Sequence, residues 1–573
     1  MNSQKENPTI IGVIPQYPAH TKQNIYGKIR MPPVGIFSVL ANINKNSEFD
    51  IYVIDENNYK GPVDKNKMPD HVAIQKLKPA SIAMLYGGMS NSIPRMFEVA
   101  QQYQSLGVTT IAGGSHVDSL PKEALNSGID IVVHGEGEET AQELLKVILK
   151  NGVVVDYKQN LEQILGISFF DEHNNYVFTG KRQPINDLDS LLDPDISIMK
   201  FMNKKLSSFP INRGRGCNFT CEFCVVNKQY GRYKAISIEK TFNYFKHMVE
   251  DGQKSFFFTD DNFAQNINET IDLCKLIGDY KVKHKKKFDI MVQVRTEIAE
   301  NPKLLEAMKY AGISSLAIGY ESPINEELKA MRKGVTVEKL VKRSRILSDI
   351  FHLHGMFIFG YPTFEDSKFK SELTLKQKAK EYARFFGKAR IDTIQVFNAV
   401  PLPGSDLRYK LEHENRIPPL DVIGWDKYDG LFLCYVPEKG LDVFELQNFP
   451  LALMKKRYSG NFFTRNINFG NWINWIYDFS FGLPVNFSML YTRRFFYNLN
   501  QKRKNININI KFLPKRNIFH ESWNNACHDI AKGWKKLVIK TYAGGIVRKW
   551  DRLYKKGNYI DALKKLSLRK HKS

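Results

Sequence analysis

The sequence contains few cysteines and no long apolar run. Six cysteines occur in 573 residues, and three of them share one short segment, so the chain lacks the cysteine framework of a small secreted domain. The polar first residues lead directly into an apolar strand pattern, which predicts that there is no signal peptide. No continuous apolar stretch predicts a membrane-spanning helix. We therefore expect a cytoplasmic protein of two or three domains.

The three clustered cysteines are Cys217, Cys221 and Cys224, with the spacing C-x3-C-x2-C. Thiolates are soft ligands that select iron–sulfur clusters or zinc. A structural zinc site commonly takes four ligands from paired C-x2-C units, whereas the next cysteine along the chain is Cys274. Three thiolates on a four-iron cluster leave one iron open to a further ligand, which favours a cluster used for chemistry. A structural zinc site and a chance grouping remain the alternatives.

The first 150 residues alternate between strand and helix patterns. Apolar runs that predict buried parallel strands occupy residues 9–15, 50–55, 80–86, 108–112 and 129–133, and helical spacing follows at residues 140–149. This alternation predicts a doubly wound parallel sheet, whose ligands lie beyond the carboxyl ends of the strands. Two glycine-rich turns, Gly113-Gly114-Ser115-His116 and Gly135-Glu136-Gly137-Glu138, fall at those ends. We therefore expect a Rossmann-like ligand-binding domain.

A second alternating region begins at the cysteines. Strand patterns occupy residues 210–212, 255–259, 288–294, 315–320, 355–360 and 392–398, and helical patterns such as residues 238–250 separate them. Six strand–helix units are too few to close an eight-unit ring, so they predict an open, partial (β/α)6 barrel. Catalytic groups of βα barrels come from the C-terminal ends of the strands.

The cysteine segment resembles the signature of the radical S-adenosylmethionine (SAM) superfamily. Phe223, directly before the last cysteine, belongs to that signature, and we expect it to contact a cofactor. Upstream, Met31-Pro-Pro-Val-Gly35 and the two glycine-rich turns resemble, in order and spacing, the cobalamin-binding domain of the class B radical SAM methylase group. The resemblance covers roughly residues 8–435.

This resemblance implies three cofactors: a [4Fe-4S] cluster held by Cys217, Cys221 and Cys224, SAM on the open iron, and cobalamin on the first sheet. It implies cobalamin contacts from Pro33, Gly35, Gly113, Gly114, His116 and Gly135. The first domain lacks Asp-x-His-x-x-Gly, the motif that supplies a histidine below cobalt in other cobalamin proteins. We therefore expect cobalamin to bind without a protein histidine ligand. A vestigial domain that binds no corrin is the alternative.

Side chains at the ends of three predicted barrel strands are candidates to hold SAM. Asp260 and Asp261 follow the second strand, where a carboxylate would meet the amino group of SAM; the alternative is that these acids cap the next helix. Gln293 and Arg295 close the third strand, and Arg295 would pair with the SAM carboxylate or with a nearby acid. Glu321 closes the fourth strand and resembles the family's polar contact to SAM. No catalytic residue is assigned.

Positive charge is concentrated at the C-terminal end. Residues 451–573 hold 26 lysines and arginines against five acids, a net charge of +21 out of the chain's +23, and five of its six tryptophans. This pattern favours contact with an anionic membrane surface over nucleic acid, and a solvated basic tail is the alternative. We expect four segments: a cobalamin-binding domain at 1–150, a linker at 151–200, a radical SAM barrel at 201–440 and a basic C-terminal domain at 441–573.

The family resemblance implies that SAM is cleaved reductively and that the resulting radical takes a hydrogen atom from an unactivated carbon, which then receives a methyl group from methylcobalamin. We expect C-methylation of a hydrophobic or lipid substrate, an electron donor of the reductase or flavodoxin type, and peripheral contact with the inner membrane surface. Two alternatives remain. One is radical C–C bond formation or cyclisation without methyl transfer, and the other is a corrin- or RNA-binding regulatory protein with a structural cluster.

Overall fold

The computed structural model of the chain describes residues 7–19, 30–150, 153–458, 543–548 and 559–570. The chain divides into two compact units, one of residues 1–453 with 550–573 and the other of residues 454–549. The predictions for the basic C-terminal segment fall mainly outside the described residues. Within the described ranges, no helix is long and apolar enough to cross a bilayer.

The first sheet has seven strands. Its parallel strands are β1 (Thr9–Ile14), β2 (Asp50–Asp55), β3 (Ile82–Tyr86), β4 (Thr109–Gly113) and β5 (Ile131–Val133). The short strands β6 (Leu149–Lys150) and β7 (Val153–Val154) form a separate pair, and β8 (Ile167–Phe170) and β9 (Tyr176–Phe178) extend the sheet in the antiparallel sense. The order across the sheet is β2-β1-β3-β4-β5-β8-β9. The hairpin β8-β9 within the expected linker therefore joins the sheet.

The strand order of this sheet determines where a ligand can bind. Helices α1 (Val34–Ile43), α2 (His71–Leu77), α3 (Ile93–Ser105), α4 (Ser115–Ser119), α5 (Pro121–Leu125) and α6 (Gly137–Ile148) connect or follow its strands. The inner strand β1 is buried, with Ile10, Ile11 and Val13 each 0% exposed, because a parallel strand inside a sheet is covered on both faces. The chain order reverses between β1 and β3, and the carboxyl ends of the strands open a crevice at such a point.

The second sheet is the open barrel. Its region contains β10 (Phe209–Ile211), β11 (Gly214–Arg215), β12 (Lys234–Ala235), β13 (Ser255–Phe258), β14 (Asp289–Val294), β15 (Ile313–Glu321), β16 (His352–Phe359) and β17 (Thr393–Asn398). β11 and β12 pair with each other, whereas the other six strands lie side by side in chain order and are all parallel. The predicted α/β fold, a Rossmann-like sheet followed by a partial six-stranded barrel, is confirmed.

Helices alternate with the barrel strands and continue beyond them. They are α7 (Val226–Tyr230), α8 (Ile238–Glu250), α9 (Ile267–Lys283), α10 (Pro302–Ala311), α11 (Asn325–Ala330), α12 (Val337–Ser348), α13 (Leu375–Lys388), α14 (Asp406–His413), α15 (Val443–Tyr458) and α16 (Tyr559–Lys570).

The inner face of the barrel is partly exposed. Along β14 and β16, buried side chains alternate with half-buried ones. Phe357 represents the buried set, and its ring meets those of Phe385 and Phe386 on α13. The half-buried set on the opposite face, which includes Met291 and Met356, therefore points into the barrel. Six strands leave this interior accessible, whereas a closed eight-stranded barrel fills it with side chains.

Candidate active site at the carboxyl ends of the barrel strands

The cysteines lie on a loop closed by a short hairpin. β11 and β12 place Arg215 opposite Lys234, and we call residues 216–233 between them the cysteine loop. This loop follows the first barrel strand, so it stands at the carboxyl edge of the barrel. Gly216 opens the loop with a φ of +81°, and a Cβ at this position would lie 2.7 Å from the carbonyl oxygen of Arg232. Only glycine fits such a turn.

The three thiols are partly exposed on this loop. The Sγ atom of Cys217 donates to Gln265 Oε1 at 3.7 Å, and burial raises the pKa of Cys224 to about 11. Among the residues that the structure describes, no group of three His, Cys, Asp or Glu side chains lies close enough to hold a metal ion. The loop thus carries three soft donors of the kind that iron–sulfur clusters take, without gathering them around one point. The assignment of Cys217, Cys221 and Cys224 as ligands stays a prediction.

Glu222 anchors the cysteine loop to the far side of the barrel. Its carboxylate accepts a hydrogen bond from Tyr361 Oη at 3.1 Å and pairs with Lys410 Nζ at 2.7 Å. Its backbone N–H donates to the Met331 carbonyl, and its carbonyl accepts from the N–H of Leu407. These contacts fix a residue that lies between two of the cysteines. The sequence reading missed Glu222, although a charged residue inside the cysteine motif was a visible signal.

Asp260 and Asp261 follow β13 at the same edge. Asp260 is 1% exposed, and its Oδ1 accepts a hydrogen bond from the Arg213 backbone N–H at 2.8 Å. Its Oδ2 has no hydrogen-bond partner among the described residues. Burial raises the pKa of Asp260 to about 6, and burial with the charge of Asp260 does the same for Asp261. The next helix, α9, is capped by Asn266, so the alternative that the acids cap it is wrong.

The unpartnered oxygen of Asp260 provides a test of fit for SAM. A buried carboxylate oxygen without a hydrogen-bond donor destabilises the folded protein unless a cation or an N–H group binds to it. An ammonium group such as that of SAM supplies both the charge and the donors. The chemistry of this side chain therefore fits the predicted role, which stays a prediction.

Arg295 connects the third barrel strand to the cysteine loop. Its guanidinium lies 3.8 Å from the ring centroid of Phe219, a loop residue, in a cation–π contact. One terminal nitrogen donates to the Lys333 carbonyl at 2.7 Å and to Glu297 at 3.2 Å, while Nε has no partner within the described residues. The expected pairing of Arg295 with a nearby acid is thus present in the structure, and the acid is Glu297.

Two more predicted residues lie close by and are held by neighbours. Gln293 donates from Nε2 to the Asp261 carbonyl at 3.3 Å. Glu321 is buried and forms an ion pair with Lys333 at 2.8 Å, with a φ of +62° that is unusual for a residue other than glycine. Such backbone strain is found where a strand end must present a side chain in one direction. Sequence reasoning missed Lys333, because nothing in its local pattern marks a buried lysine.

Two glycine turns pack backbone to backbone at the carboxyl edge of the first sheet. Gly113 is the last residue of β4 and Gly114 follows it, while Gly87 and Gly88 directly follow β3. Gly114 has a φ of +125°, and an added Cβ would lie 2.5 Å from the Gly88 backbone nitrogen. A side chain is therefore excluded, and bare backbone allows a ligand to approach closely. The expected cobalamin contact at Gly113 and Gly114 lies on this double turn, and Gly87-Gly88 is the half that the sequence reading missed.

His116 lies beside the double turn but is buried, with 2% of its surface exposed. Its Nδ1 lies 2.9 Å from Ser90 Oγ, and its ring meets Trp425 edge to face with 4.6 Å between the centroids. Burial lowers the pKa of His116, which keeps the ring neutral at pH 7. This placement gives no support to the expected contact between His116 and cobalamin. The expected absence of a histidine below cobalt stays a prediction.

Three of the four remaining predicted contacts lie on turns of the first sheet, and the fourth lies in the cysteine loop. Pro33 directly precedes α1, and Gly35 is an exposed residue of its first turn. Gly135 follows β5 with a φ of +65°. Phe223, in the cysteine loop, is half-buried. All four positions are accessible to a ligand, and their roles stay predictions.

The carboxyl edges of the two sheets face each other. Ser119, after β4, donates to the Pro403 carbonyl, beyond the last barrel strand, at 3.3 Å. Trp425 Nε1 donates to Glu123 Oε1 at 2.6 Å. Both contacts join the two sheets within one compact unit. A ligand on either edge would therefore face the other sheet.

Comparison with known families matches two regions of the chain. The Radical SAM superfamily matches residues 211–375, and the B12 binding domain matches residues 28–145. The first region contains the cysteine loop and most of the barrel, and the second contains the double glycine turn.

Curated relatives match longer stretches of the chain than either family model does. An uncharacterized methyltransferase of Pyrococcus horikoshii is 26% identical over 410 residues, which cover 69% of this chain and 81% of that protein. The bacteriochlorophyllide d C-8(2)-methyltransferase of Chlorobaculum tepidum is 26% identical over 59% of this chain and 69% of its own length. The hopanoid C-2 methylase of Rhodopseudomonas palustris is 24% identical over 53% of this chain and 51% of its own length.

Solved structures show the same fold at low identity. The cobalamin-dependent SAM radical enzyme OxsB, with aqua-cobalamin and SAM bound, is 15% identical, with a TM-score of 0.60 over 96% of this chain and 84% of that one. The radical SAM methyltransferase TsrM of Kitasatospora setae, with cobalamin and a [4Fe-4S] cluster, is 15% identical, with a TM-score of 0.56 over 72% of this chain and 80% of that one.

The two sheets and the two matched domains define a radical SAM enzyme that carries a B12-binding domain. This combination of a radical SAM domain with a B12-binding domain is the one that the sequence predicts. The alternative of a regulatory protein with a structural cluster is not supported, because the relatives are named as enzymes.

Proposed function

We propose that the protein is a cobalamin-dependent radical SAM methyltransferase that methylates an unactivated carbon of a hydrophobic substrate. The observation that carries this proposal is the placement of the cysteine loop and the double glycine turn on facing carboxyl edges within one compact unit. Two cofactors held on facing edges can reach the same substrate atom. Rate enhancement in such an enzyme comes largely from positioning.

The chain's own residues would hold the cofactors at two facing sites. We assign cobalamin to residues 1–150 and the cluster with SAM to residues 201–440. When bound, these groups supply one-electron chemistry and a methyl group. Asp260 offers its unpartnered oxygen to an ammonium group, Arg295 holds the cysteine loop through Phe219, and Glu222 fixes the same loop to Tyr361.

The inner face of the barrel supports a hydrophobic substrate. Met291, Met356 and Ile358 are half-buried there and lie on the open interior. These three side chains form an apolar patch beside polar inward residues such as Gln293 and His354, and apolar patches with a few polar groups are typical of sites for apolar ligands. Two relatives are named for apolar substrates, a hopanoid and a bacteriochlorophyllide, and they favour the same class here. Within this class of hydrophobic molecules, we propose a lipid as the substrate.

A second candidate function is ring formation without methyl transfer. The anaerobic magnesium-protoporphyrin IX monomethyl ester cyclase of Cereibacter sphaeroides is 28% identical over 260 residues, 44% of this chain and 41% of that protein. That relative is named as a cyclase, and the aligned part is shorter than in the methyltransferase relatives. Methylation therefore remains the first candidate.

Label transfer separates the two functions. The reconstituted enzyme is reduced anaerobically with SAM that carries a deuterated methyl group, together with the hydrophobic extract of cells that lack the enzyme. Methylation predicts a product that contains the intact deuterated methyl group, because the group moves as one unit. A product that loses hydrogen without gaining the label would establish cyclisation and contradict methyl transfer.

We also propose that an external reductase or flavodoxin-type protein supplies the electron, and that the basic segment 451–573 brings the enzyme to an anionic membrane. The segment carries +21 of the chain's +23 charge, and a lysine or arginine near an anionic surface contributes about 1 kcal/mol. We expect the full chain to float with anionic vesicles and a chain ending at residue 450 to remain unbound. Equal flotation of both forms, or binding of RNA without vesicles, would contradict the membrane role.

A further inference from the structure

An acidic turn of the first sheet forms ion pairs with both strands at the base of the cysteine loop. We call residues 135–138, after β5, the acidic turn. Glu136 Oε1 pairs with Arg215 at 2.8 Å, and Glu136 Oε2 pairs with Lys234 at 2.6 Å. Glu138 pairs with the second terminal nitrogen of Arg215. Arg215 and Lys234 lie opposite each other in the β11–β12 hairpin, so the turn holds both strands from which the loop emerges.

These ion pairs are buried and have further hydrogen bonds. The side chains of Glu136 and Glu138 are 5% and 3% exposed. Ser38 Oγ donates to Glu138 at 2.7 Å, and the Ile185 backbone N–H donates to Glu136 at 2.8 Å. Burial raises the pKa of Glu138, but the charge of Arg215 outweighs burial and holds that pKa below its usual value. A buried, fully hydrogen-bonded ion pair is directional, and removing one member is strongly destabilising.

The position of the turn gives these contacts a functional meaning. Gly135 stands at the carboxyl edge of the first sheet, where ligands of such sheets bind. Arg215 lies two residues before Cys217. A shift of the turn by a ligand on the sheet would therefore be transmitted to the cysteine loop through two carboxylates and two cations. Coupling between sites needs such a physical connection, which both ligands can bias.

We propose that Glu136 and Glu138 are positioning residues that couple corrin binding to the geometry of the cysteine loop, through Arg215 and Lys234. This inference rests on the proposed function for its two ligands. The acidic turn was expected only to contact cobalamin, and its glutamates extend that role to the other cofactor site.

Electron paramagnetic resonance of the reduced cluster with SAM tests the coupling. In the wild-type protein, adding hydroxocobalamin should change the cluster signal. In Arg215→Met, the cluster and cobalamin should each bind at wild-type stoichiometry, but adding cobalamin should leave the signal unchanged. Arg215→Lys keeps the charge but not the forked geometry, so its response should be intermediate. Glu143→Gln is the matched control, since Glu143 lies on the same helix α6 and pairs with Arg182 rather than with the hairpin.

Hydrogen exchange of the cofactor-free protein tests whether these ion pairs hold the acidic turn and the hairpin together. Glu138→Gln keeps a partner for Ser38 and removes the charge that faces Arg215. It should accelerate amide exchange by about tenfold or more in both the acidic turn and the hairpin at residues 214–235, whereas Glu143→Gln should change neither. This variant also serves if Arg215→Met does not fold.

The outcomes are separable. Faster exchange only in the segment that carries the substitution would show that the ion pairs do not hold the acidic turn and the hairpin together. A cluster signal that responds to cobalamin equally in the wild type and in Arg215→Met, or in neither while both cofactors are bound, would overturn the coupling. Failure of the wild type to bind any corrin would overturn the proposed function and the coupling together. The exchange data would still show whether the ion pairs hold the acidic turn and the hairpin together.

Discussion

Replacement of Cys217, Cys221 and Cys224 together with alanine is expected to reduce iron from about four atoms per chain to none after anaerobic reconstitution. The three thiols are the clustered soft donors of the barrel edge, and alanine retains no ligand atom. Iron analysis and the charge-transfer absorbance of the cluster measure the loss. The effect should be complete, because the loop has no fourth cysteine to compensate.

The chain contains its own control for this prediction. Cys274 and Cys434 are fully buried, each 0% exposed, and they lie outside the cysteine loop. The double variant Cys274→Ala, Cys434→Ala should keep its full iron content, even if it unfolds at a lower temperature because of the lost packing. Iron that persists in the triple variant, or disappears in the double variant, would place the cluster elsewhere.

Gly114→Ala is expected to weaken cobalamin binding by about 100-fold, because strain of a few kcal/mol at the turn is relieved only by moving it. The φ of +125° is one that alanine disfavours, and the added Cβ would lie 2.5 Å from the Gly88 nitrogen. The double turn would have to open, which removes the surface of bare backbone. Titration of the purified protein with hydroxocobalamin, followed by absorbance, measures the affinity.

Gly107→Ala separates this effect from general strain. Gly107 also has a positive φ, +71°, but nothing lies within 4 Å of an added Cβ, and it precedes β4 at the opposite end of the strand. It should lower stability without changing cobalamin affinity. Equal cobalamin affinity in Gly114→Ala and the wild type would contradict the assignment of the double turn.

Local sequence patterns predicted a helix or strand well where its buried face and its capping residue both indicate the same bounds. The predicted helix at residues 238–250 coincides with α8 (Ile238–Glu250), which Ser237 caps. β16 starts at His352, three residues before the predicted strand, because its first two inward residues, His352 and His354, are polar and do not look like part of a buried run. Helix α6 starts at Gly137, earlier than predicted, since Glu138 in its first turn is held by Arg215.

The site was harder to predict because its contacts join distant parts of the chain. Motif resemblance placed Asp260, Arg295 and Glu321 at the correct strand ends, since each follows a recognisable strand. Their partners depend on the register between strands and domains. The N–H group that meets Asp260 comes from Arg213, 47 residues away, and the acidic turn meets Arg215 across 77 residues. No periodic pattern in the sequence records such pairings, so only the folded structure reveals them.

The measurement that tests the account most directly is the formation of 5′-deoxyadenosine from SAM. The wild-type protein, carrying its iron and reduced under anaerobic conditions, should release 5′-deoxyadenosine and methionine in equal amounts. The triple variant Cys217→Ala, Cys221→Ala, Cys224→Ala should release neither. Absence of 5′-deoxyadenosine from wild-type protein that holds four iron atoms and binds SAM would contradict the assignment of radical SAM chemistry to this barrel.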